Sequence, residues 1–344
     1  MSNFSIKIID DKQQWERFAG NHADANFLQS YNWGLFHQKL NKKFFPLAVF
    51  DEADQQLGCA MVIKEEAKRG DYFTIAGGPL LDWQNSQAKM IFTSLTRYLS
   101  TLAKKENCVF VRIRPQANDT PHIRSLFASA GLKKAPMHLT ADLTLRLNLA
   151  LSNEEILKQM RKNTRYEINK GLREGINTKI IIDPAFMSEF FQYQAYLAKK
   201  HQFIPFEFDF LKLQFETFLA DKQVAFVNSY QDDQLLASAF VIFYHDEAVY
   251  HYGVSTPAND KLPGSYVTQW QAIQEARRRG CKIYNFWGVS PVGRPDHRFA
   301  GVSLFKRGFG GEEVQHLPAH DLAVSRFYFL TNTFEKIRKK ARDL

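Results

Sequence analysis

The sequence is poor in cysteine and has no long apolar run. Its 344 residues include three cysteines, Cys59, Cys108 and Cys281, which lie far apart and form no CxxC pair. An odd, scattered set beside strand-like residues predicts buried thiols in a reducing compartment rather than a disulfide framework. The longest core-like apolar stretch is Ala237–Tyr244, much shorter than the roughly 18 residues that span a bilayer. The segment Met1–Lys12 has no apolar core of the secretory type, so we expect a cytoplasmic protein.

Short motifs of several common enzyme classes are also missing. The sequence has no GxSxG nucleophile elbow, no Walker A loop and no Rossmann glycine fingerprint. His316 and His320 are four residues apart, but Pro318 between them argues against a regular helical metal pair. His245 and His251 flank one predicted strand without a third ligand nearby. We therefore expect neither a metal site nor a bound cofactor.

The charge is what the sequence has in excess. Lys and Arg number 45 against 36 Asp and Glu, which gives a net charge of +9. Such a chain either binds a polyanion, such as nucleic acid, a phosphate-bearing substrate or an anionic membrane face, or has a solvated basic surface. Hydrophobic residues make up 45% and charged residues 24%, which excludes a disordered chain, and the length predicts two domains.

One order of predicted elements occurs twice along the chain. Each half shows two strands around a polar turn, a third strand, an amphipathic helix and a returning strand. In the first half these are Phe44–Phe50, Leu57–Ile63, Tyr72–Ala76, the helix Gln87–Lys105 and Cys108–Ile113. In the second half they are Val224–Tyr230, Leu235–Tyr244, Ala248–Val254, the helix Tyr266–Arg279 and Cys281–Trp287.

The two halves align at nearly equal offsets. Leu57–Ile63 aligns with Leu236–Ile242 at a shift of 179, and Cys108 aligns with Cys281 at a shift of 173. We therefore predict an α/β (α+β) protein built as a tandem repeat, with mixed sheets flanked by helices. The predicted divisions are a first domain at 1–150, a basic linker helix and strand at 151–180, a second domain at 181–320 and a basic C-terminal helix at 321–344.

This element order is that of an acetyltransferase fold that usually binds acetyl-coenzyme A. In that fold, closely spaced glycines before the helix expose N–H groups to the pyrophosphate. The first equivalent loop here, Gly77–Trp83, lacks that spacing, and the second, Ser255–Gly264, contains Pro257 and Pro263, which donate no N–H. The scaffold is therefore predicted to be present without its coenzyme A cradle.

A charged helix is predicted between the halves, beginning at the capping residue Ser152. Lys158, Arg161, Lys162 and Arg165 have the spacing i, i+3, i+4 and i+7, which places them on one face of a continuous helix. Like charges at that spacing repel, so the face either binds an anion or is a solvated surface.

The segment Ser303–Gly311 is unusual because it combines Lys306, Arg307 and three glycines between aromatic residues. This composition predicts a loop after the final strand that brings cations and bare N–H donors to an anion or oxyanion. A glycine-rich turn with solvated cations is the other interpretation.

With these features, the sequence resembles the Fem-type (FemA/FemB/FemX) aminoacyltransferases, which build peptidoglycan interpeptide bridges. The resemblance extends through nearly the whole chain and is closest to the short type without a helical-hairpin insertion. Its carriers are Gln29–Gly34, Gly78–Pro79, Met160–Arg165, Gln269–Ile273, Tyr284–Gly288 and Phe305–Gly311.

The resemblance implies two acetyltransferase-like domains that use aminoacyl-tRNA as donor and an amine of a muropeptide precursor as acceptor. It implies that Phe305 and Lys306 support the tetrahedral intermediate. We assign the tRNA phosphates to the basic residues of the linker and of the glycine-rich segment, namely Lys158, Arg161, Lys162, Arg165 and Arg307.

For acceptor binding, Tyr252 matches a family tyrosine that contacts the precursor, and Trp33 lies in a helix that borders the cleft in relatives. Both residues could equally be core aromatics. Relatives that use a nucleotide-linked precursor have a phosphate-binding Lys where this chain has His37, with Lys39 two residues on, and an Arg where it has Phe206. These departures favour a lipid-linked precursor over a nucleotide-linked one, and the basic surface could then meet the inner membrane leaflet.

Two other functions stay open on the sequence alone. One is a coenzyme A-dependent N-acyltransferase on the same fold, against which the glycine-poor loops argue. The other is a non-catalytic protein that binds RNA or a membrane surface, against which the intact segment Phe305–Gly311 argues.

Overall fold

The computed structural model describes residues 4–341, so the last three residues of the predicted helix at 321–344 lie outside the described part. The chain folds as two compact units. Unit 1 is Met1–Asp142 with Gln315–Leu344, and unit 2 is Leu143–Val314. These limits differ from the predicted divisions, because residues 151–180 fold within unit 2 and the chain after Gln315 returns to unit 1.

The helices and strands follow one another in a largely alternating order. Unit 1 begins with β1 (Ser5–Ile8), α1 (Lys12–Ala19), α2 (Tyr31–Lys39), β2 (Phe44–Phe50), β3 (Gln56–Glu65), β4 (Asp71–Gly77), β5 (Leu80–Leu81), α3 (Ala88–Lys105), β6 (Cys108–Pro115), α4 (Pro121–Ser129) and β7 (Lys133–Lys134). Unit 2 contains β8 (Leu143–Asn148), α5 (Asn153–Gln159), α6 (Lys162–Arg173), β9 (Asn177–Ile181), α7 (Met187–His201), α8 (Phe208–Leu219), β10 (Val224–Gln231), β11 (Gln234–Tyr244), β12 (Glu247–Ser255), α9 (Gly264–Arg278), β13 (Ile283–Gly288), α10 (Ala300–Arg307) and β14 (Glu312–Gln315). The chain then adds β15 (His320–Ala323) and α11 (Tyr328–Ala341) to unit 1.

Unit 1 is built on a mixed sheet of order β1-β2-β3-β4-β6-β15-β7, with β5 paired to β3. Strands β4 and β6 are parallel, and β15 closes on β6 antiparallel, which is why the last part of the chain belongs to this unit. Helix α3 packs one apolar stripe on the sheet, including Ile91, Leu95 and Leu99, each almost fully buried. The stripe has the spacing i, i+4, i+8 expected for one helix face.

Unit 2 repeats this plan in a sheet of order β14-β8-β13-β12-β11-β10-β9. Strands β12 and β13 form its parallel pair, and α9 covers the sheet with Ala272, Ile273 and Ala276 fully buried. Because strands, helix and returning strand recur in the same order in both units, the predicted α/β tandem repeat with mixed sheets flanked by helices is confirmed.

The single linker helix predicted after Ser152 is wrong. The capping box at its start is present, since Ser152 and Glu155 exchange two hydrogen bonds. The helix ends at Gln159, however, because Met160 and Arg161 are extended, with ψ of 149° and 147°, and α6 begins only at Lys162. The regular spacing of the basic residues along one helix face is therefore lost.

The three cysteines are buried and free, as predicted. Within residues 4–341, no group of three or more His, Cys, Asp or Glu side chains is arranged to hold a metal ion. The helices of this described part include none that is both long and apolar enough to span a membrane.

Candidate active site

The parallel strands of unit 2 separate partway along their length. β12 and β13 pair only through Glu247–Val249 against Ile283–Asn285. Beyond these residues the two strands continue as Tyr250–Ser255 and Phe286–Gly288 without pairing to each other. We call the space between these two segments the strand opening. Within it, the backbones of β12 and β13 are not hydrogen-bonded to each other.

Unit 1 has no counterpart of the strand opening among its described residues. β4 and β6 stay paired from Asp71 with Cys108 to Gly77 with Pro115. Where β4 separates from β3 instead, the buried Gln29 amide bridges them, accepting from Met61 N at 2.8 Å and donating to Ala76 O at 2.7 Å. Of the two repeats, unit 2 is therefore the better candidate for a reaction centre.

Both strands that border the opening have irregular backbones. In β12, Phe240 of the neighbouring strand pairs with Tyr252 and Val241 pairs with Tyr250, so His251 is an extra, bulged residue. In β13, Trp287 has a φ of +64°, which non-glycine residues rarely adopt. Irregularities of this kind are concentrated at functional sites, where they redirect side chains.

Polar contacts hold the unusual backbone of Trp287 in place. The Trp287 N–H donates to the Asn285 side-chain oxygen at 2.8 Å, and the Asn285 amide donates to the Glu247 carboxylate at 2.9 Å. Arg146 lies 3.3 Å from the same carboxylate. Asn285 and Glu247 are almost completely buried, so this series of hydrogen bonds fixes the path of β13 beside the opening.

Lys306 places a cation at the strand opening. Its Nζ donates to the Gly288 carbonyl oxygen at 2.9 Å and lies 5.7 Å from the centre of the Tyr250 ring. The residue is only 8% exposed, and burial lowers the pKa of its ammonium group to about 8. No carboxylate of residues 4–341 is paired with this ammonium group, and a buried, unpaired cation is costly, which marks Lys306 as a candidate functional group.

The segment that carries Lys306 is helical rather than the predicted loop. Ser303–Arg307 is part of α10, and only Gly308–Gly311 forms a turn, with φ of +81° and +88° at Gly310 and Gly311. β14 follows it, so the segment does not come after the last strand. The Phe305 ring of α10 packs on Phe309 of the turn, with ring centres 5.3 Å apart, which ties the end of the helix to the turn.

Phe305 is mainly a packing residue in this arrangement. Its ring contacts Tyr266 of α9 at 5.1 Å as well as Phe309, and it covers the core of unit 2. A direct contact of Phe305 with the reacting atoms stays a prediction. What the ring does here is fix the helix from which Lys306 projects.

Aromatic and imidazole rings follow one another along the unpaired part of β12, and the His251 ring lies 5.8 Å from that of Trp287. Tyr252 is half-buried, with its ring 4.0 Å from His251 and 5.3 Å from Phe206. Burial raises the pKa of Tyr252 and lowers that of His251 to about 3, so both are neutral near pH 7. The His251 ring nitrogen Nε2 lies 3.2 Å from the Gln214 amide nitrogen.

Tyr250, His251 and Trp287 were not among the predicted site residues. His251 attracted notice only as a metal candidate, and Trp287 only as part of the motif Tyr284–Gly288. A local sequence pattern does not show where paired strands will separate, and that separation is what brings these side chains together. The motif Tyr284–Gly288 was the one signal that pointed to them.

The predicted tRNA-binding residues divide into two groups. Lys158 and Lys162 are exposed, which leaves their ammonium groups accessible to an anion. The three arginines instead make internal contacts. Arg165 donates to the carbonyls at the end of α5, the Arg161 guanidinium donates to Leu304 O, and Arg307 pairs with Glu313 and donates to Ser290 O.

Those arginine contacts have a structural effect. Arg165 satisfies carbonyl groups that the early end of α5 leaves without helical partners. The backbone N–H of Arg161 donates to Gly308 O at 2.9 Å, which ties the start of α6 to the glycine turn after Lys306. A role for these arginines in binding tRNA stays a prediction.

The predicted acceptor residues of unit 1 lie together on α2. The Trp33 and His37 rings are 4.6 Å apart, and Lys39 is exposed at the end of the helix. His37 is 6% exposed, and burial, with the nearby Lys42, lowers its pKa to about 3. A neutral, buried imidazole cannot supply the positive charge that a phosphate group requires.

The N–H groups at the start of α9, where this type of fold usually holds a pyrophosphate, already have hydrogen-bond acceptors. Asn259 Oδ1 accepts from the backbone N–H of Ser265 at 2.7 Å and from its hydroxyl at 3.2 Å, at the start of α9. Tyr266 N and Val267 N are bonded to Pro263 O. A pyrophosphate would need these N–H groups, so the helix start does not offer the usual anion site.

Comparisons with known proteins agree with this architecture. The crystal structure of FemX superposes with a TM-score of 0.85 at 14% identity, covering 96% of this chain and all of that one. A tandem GNAT protein from the clavulanic acid biosynthesis pathway gives a TM-score of 0.61 at 8% identity, covering 94% and 99%. The fold is therefore that of a tandem acetyltransferase-like protein.

Sequence comparison then gives the family. The model of the FemAB family matches residues 11–123 and 211–336, well over half of the chain. The aminoacyltransferase FemA of Staphylococcus epidermidis is 29% identical over 105 residues, which are 30% of this chain and 25% of FemA. The match thus spans about a quarter of that relative's length. The chain belongs to the FemAB family.

Proposed function

We propose that this protein transfers an amino acid from aminoacyl-tRNA to an amine on the stem peptide of a peptidoglycan precursor, forming an interpeptide bridge. Membership of the FemAB family and similarity to a protein named aminoacyltransferase FemA support the reaction class. The observation that carries the proposal is the buried Lys306 ammonium group at the strand opening of unit 2.

The proposed reaction is aminolysis of an ester. The acceptor amine, with a pKa of about 10, loses a proton and attacks the aminoacyl carbonyl carbon. A C–N bond forms, the ester C–O bond breaks, and the tRNA 3′ terminus leaves as an alcohol after it gains a proton. No covalent enzyme intermediate is needed, because the ester is already activated.

Lys306 is assigned to stabilising the negative charge of this reaction. Its ammonium group could donate to the oxyanion of the tetrahedral intermediate or to the tRNA 3′ end, while its bond to Gly288 O keeps it in place. In a site that excludes water, such a donor raises the rate roughly 10²–10³-fold. The general base is assigned to the substrate itself.

The two alternatives find less support. A coenzyme A-dependent acyltransferase needs free N–H groups at the start of α9, but Asn259 and Pro263 already accept hydrogen bonds from them. A protein that only binds RNA or a membrane needs its lysines exposed, whereas Lys306 is buried and burial disfavours its charged form. We also propose a lipid-linked acceptor, since His37 is buried and neutral, and a cytoplasmic location with peripheral contact at the membrane.

The test offers radiolabelled aminoacyl-tRNA with either a lipid-linked or a nucleotide-linked muropeptide. The expected result is label in the muropeptide that depends on the protein and is lost in Lys306→Met. Lys104→Met, which removes an exposed lysine of α3, is the matched control and is expected to keep activity. Acylation from acetyl-coenzyme A, with no transfer from any aminoacyl-tRNA, would overturn the proposal.

A further inference from the structure

Helix α11 of unit 1 is amphipathic in an inverted sense. Surface helices usually turn their apolar stripe toward the core and their polar residues toward water. Here Phe329, Leu330 and Ile337 are 62%, 51% and 64% exposed. Three large apolar side chains on one short helix therefore face away from the fold.

The inward face of α11 is held mainly by polar contacts. Glu335 pairs with Arg112 at 2.7 Å, and the Tyr328 hydroxyl donates to Asp321 at 2.9 Å. Thr331 Oγ1 donates to Arg69 O at 3.3 Å, and the Arg69 guanidinium stacks on the Phe334 ring. These contacts fix the rotation of the helix, so the outward position of its apolar residues is built into the fold.

The outward face is also basic. At 3.6 residues per turn, Phe329, Leu330, Lys336, Ile337 and Lys340 lie within about a third of the helix circumference. The single acidic residue of α11 is Glu335, which forms an ion pair with Arg112 on the opposite, inward face of the helix. The exposed stripe therefore combines apolar side chains with positive charge and has no negative charge of its own.

We propose that the outward face of α11 docks unit 1 on an anionic lipid membrane surface. An interfacial helix buries apolar side chains at the boundary between headgroups and acyl chains, while its lysines meet anionic headgroups. RNA would match the lysines but would leave Phe329, Leu330 and Ile337 in water. The proposal concerns binding alone, so its outcome does not depend on the proposed transfer reaction.

The experiment measures co-sedimentation of the full chain with vesicles. Vesicles of phosphatidylcholine with about one-third phosphatidylglycerol are compared with pure phosphatidylcholine. We expect binding to the anionic vesicles, weaker binding at high salt because the Debye length shortens, and little binding to the neutral vesicles. Absence of binding to anionic vesicles by the wild-type chain would overturn the proposal.

Variants separate the apolar and electrostatic contributions. Lys336→Gln and Lys340→Gln are each expected to weaken binding about fivefold. Phe329→Gln and Ile337→Gln are each expected to weaken it about tenfold, since each removes an apolar side chain from the interface. Met90→Gln, at an exposed apolar position on α3 of the same unit, is the matched control and is expected to bind normally.

Each variant is checked for folding by circular dichroism and thermal unfolding, which exposed substitutions on α11 should leave nearly unchanged. Binding that falls with the lysine variants but not with Phe329→Gln or Ile337→Gln would contradict membrane insertion. If tRNA then competed with the vesicles for the same lysines, the surface would be an RNA site instead.

Discussion

Replacing Lys306 by Met should stabilise the protein while it removes activity. Burial lowers the ammonium pKa from 10.5 to about 8. At about 1.36 kcal/mol per pKa unit, holding the charged form in the folded state costs ~3 kcal/mol. Losing the hydrogen bond to Gly288 O offsets roughly 1 kcal/mol of the gain. We expect Lys306→Met to raise the free energy of unfolding by about 2 kcal/mol at pH 7.

The effect should vary with pH in a defined direction. Below about pH 8 Lys306 is protonated in both the folded and the unfolded wild type, and the folded state is destabilised by the full free energy of burying the charged ammonium group. Between about pH 8 and 10.5 the folded state has released that proton and the unfolded state has not, so wild-type stability rises with pH relative to the Met variant. The difference between the two should therefore close across that window.

Urea unfolding of both proteins at pH 7 and pH 10, with transfer rates measured in parallel, tests this reasoning. The expected result is a more stable but inactive variant, and a wild-type rate that declines as pH rises through about 8. Lys306→Arg, which keeps the charge, should retain part of the activity and lose that decline. A Met variant that is less stable at pH 7, or that turns over normally, would refute the assigned role.

Four further outcomes follow from named contacts. Gln29→Ala should cost about 2–4 kcal/mol of stability in urea unfolding, because it leaves buried groups of β3 and β4 without partners. Gln29→Glu should cost no less, because a buried carboxylate cannot donate to Ala76 O. His37 should contribute a stability loss of about 5 kcal/mol as pH falls from 6.5 to about 3, since only the unfolded chain takes up its proton in that window. His37→Leu should remove this part of the acid response, and an unchanged response would contradict the burial argument. Ser152→Ala should lower stability by about 1 kcal/mol through loss of the capping box, measured by thermal unfolding. If Lys158 and Lys162 each contact a tRNA phosphate, each Gln variant should reduce the salt slope of filter binding by about 1, and an unchanged slope would exclude that contact.

Local patterns in the sequence predicted the elements of the repeat closely. Phe44–Phe50 is β2 to the residue, and the helix predicted at Gln87–Lys105 is α3 with one residue less at its start. These segments alternate or repeat with a clear period because one face of each must be buried. The early end of the linker helix at Gln159 was missed, since its apolar spacing continues past the break.

The sequence by itself determined which segments become strands and helices, that they occur twice, and that the coenzyme A loops lack their glycines. Each of these depends on neighbours along the chain, where side-chain period and backbone freedom act. Only the tertiary structure decided where β12 and β13 separate, which groups enter the strand opening, and that Lys306 is buried there on a helix. It also decided that the arginines of the basic segment are used internally and that α11 turns its apolar face outward, because pairing and burial depend on residues far away in sequence.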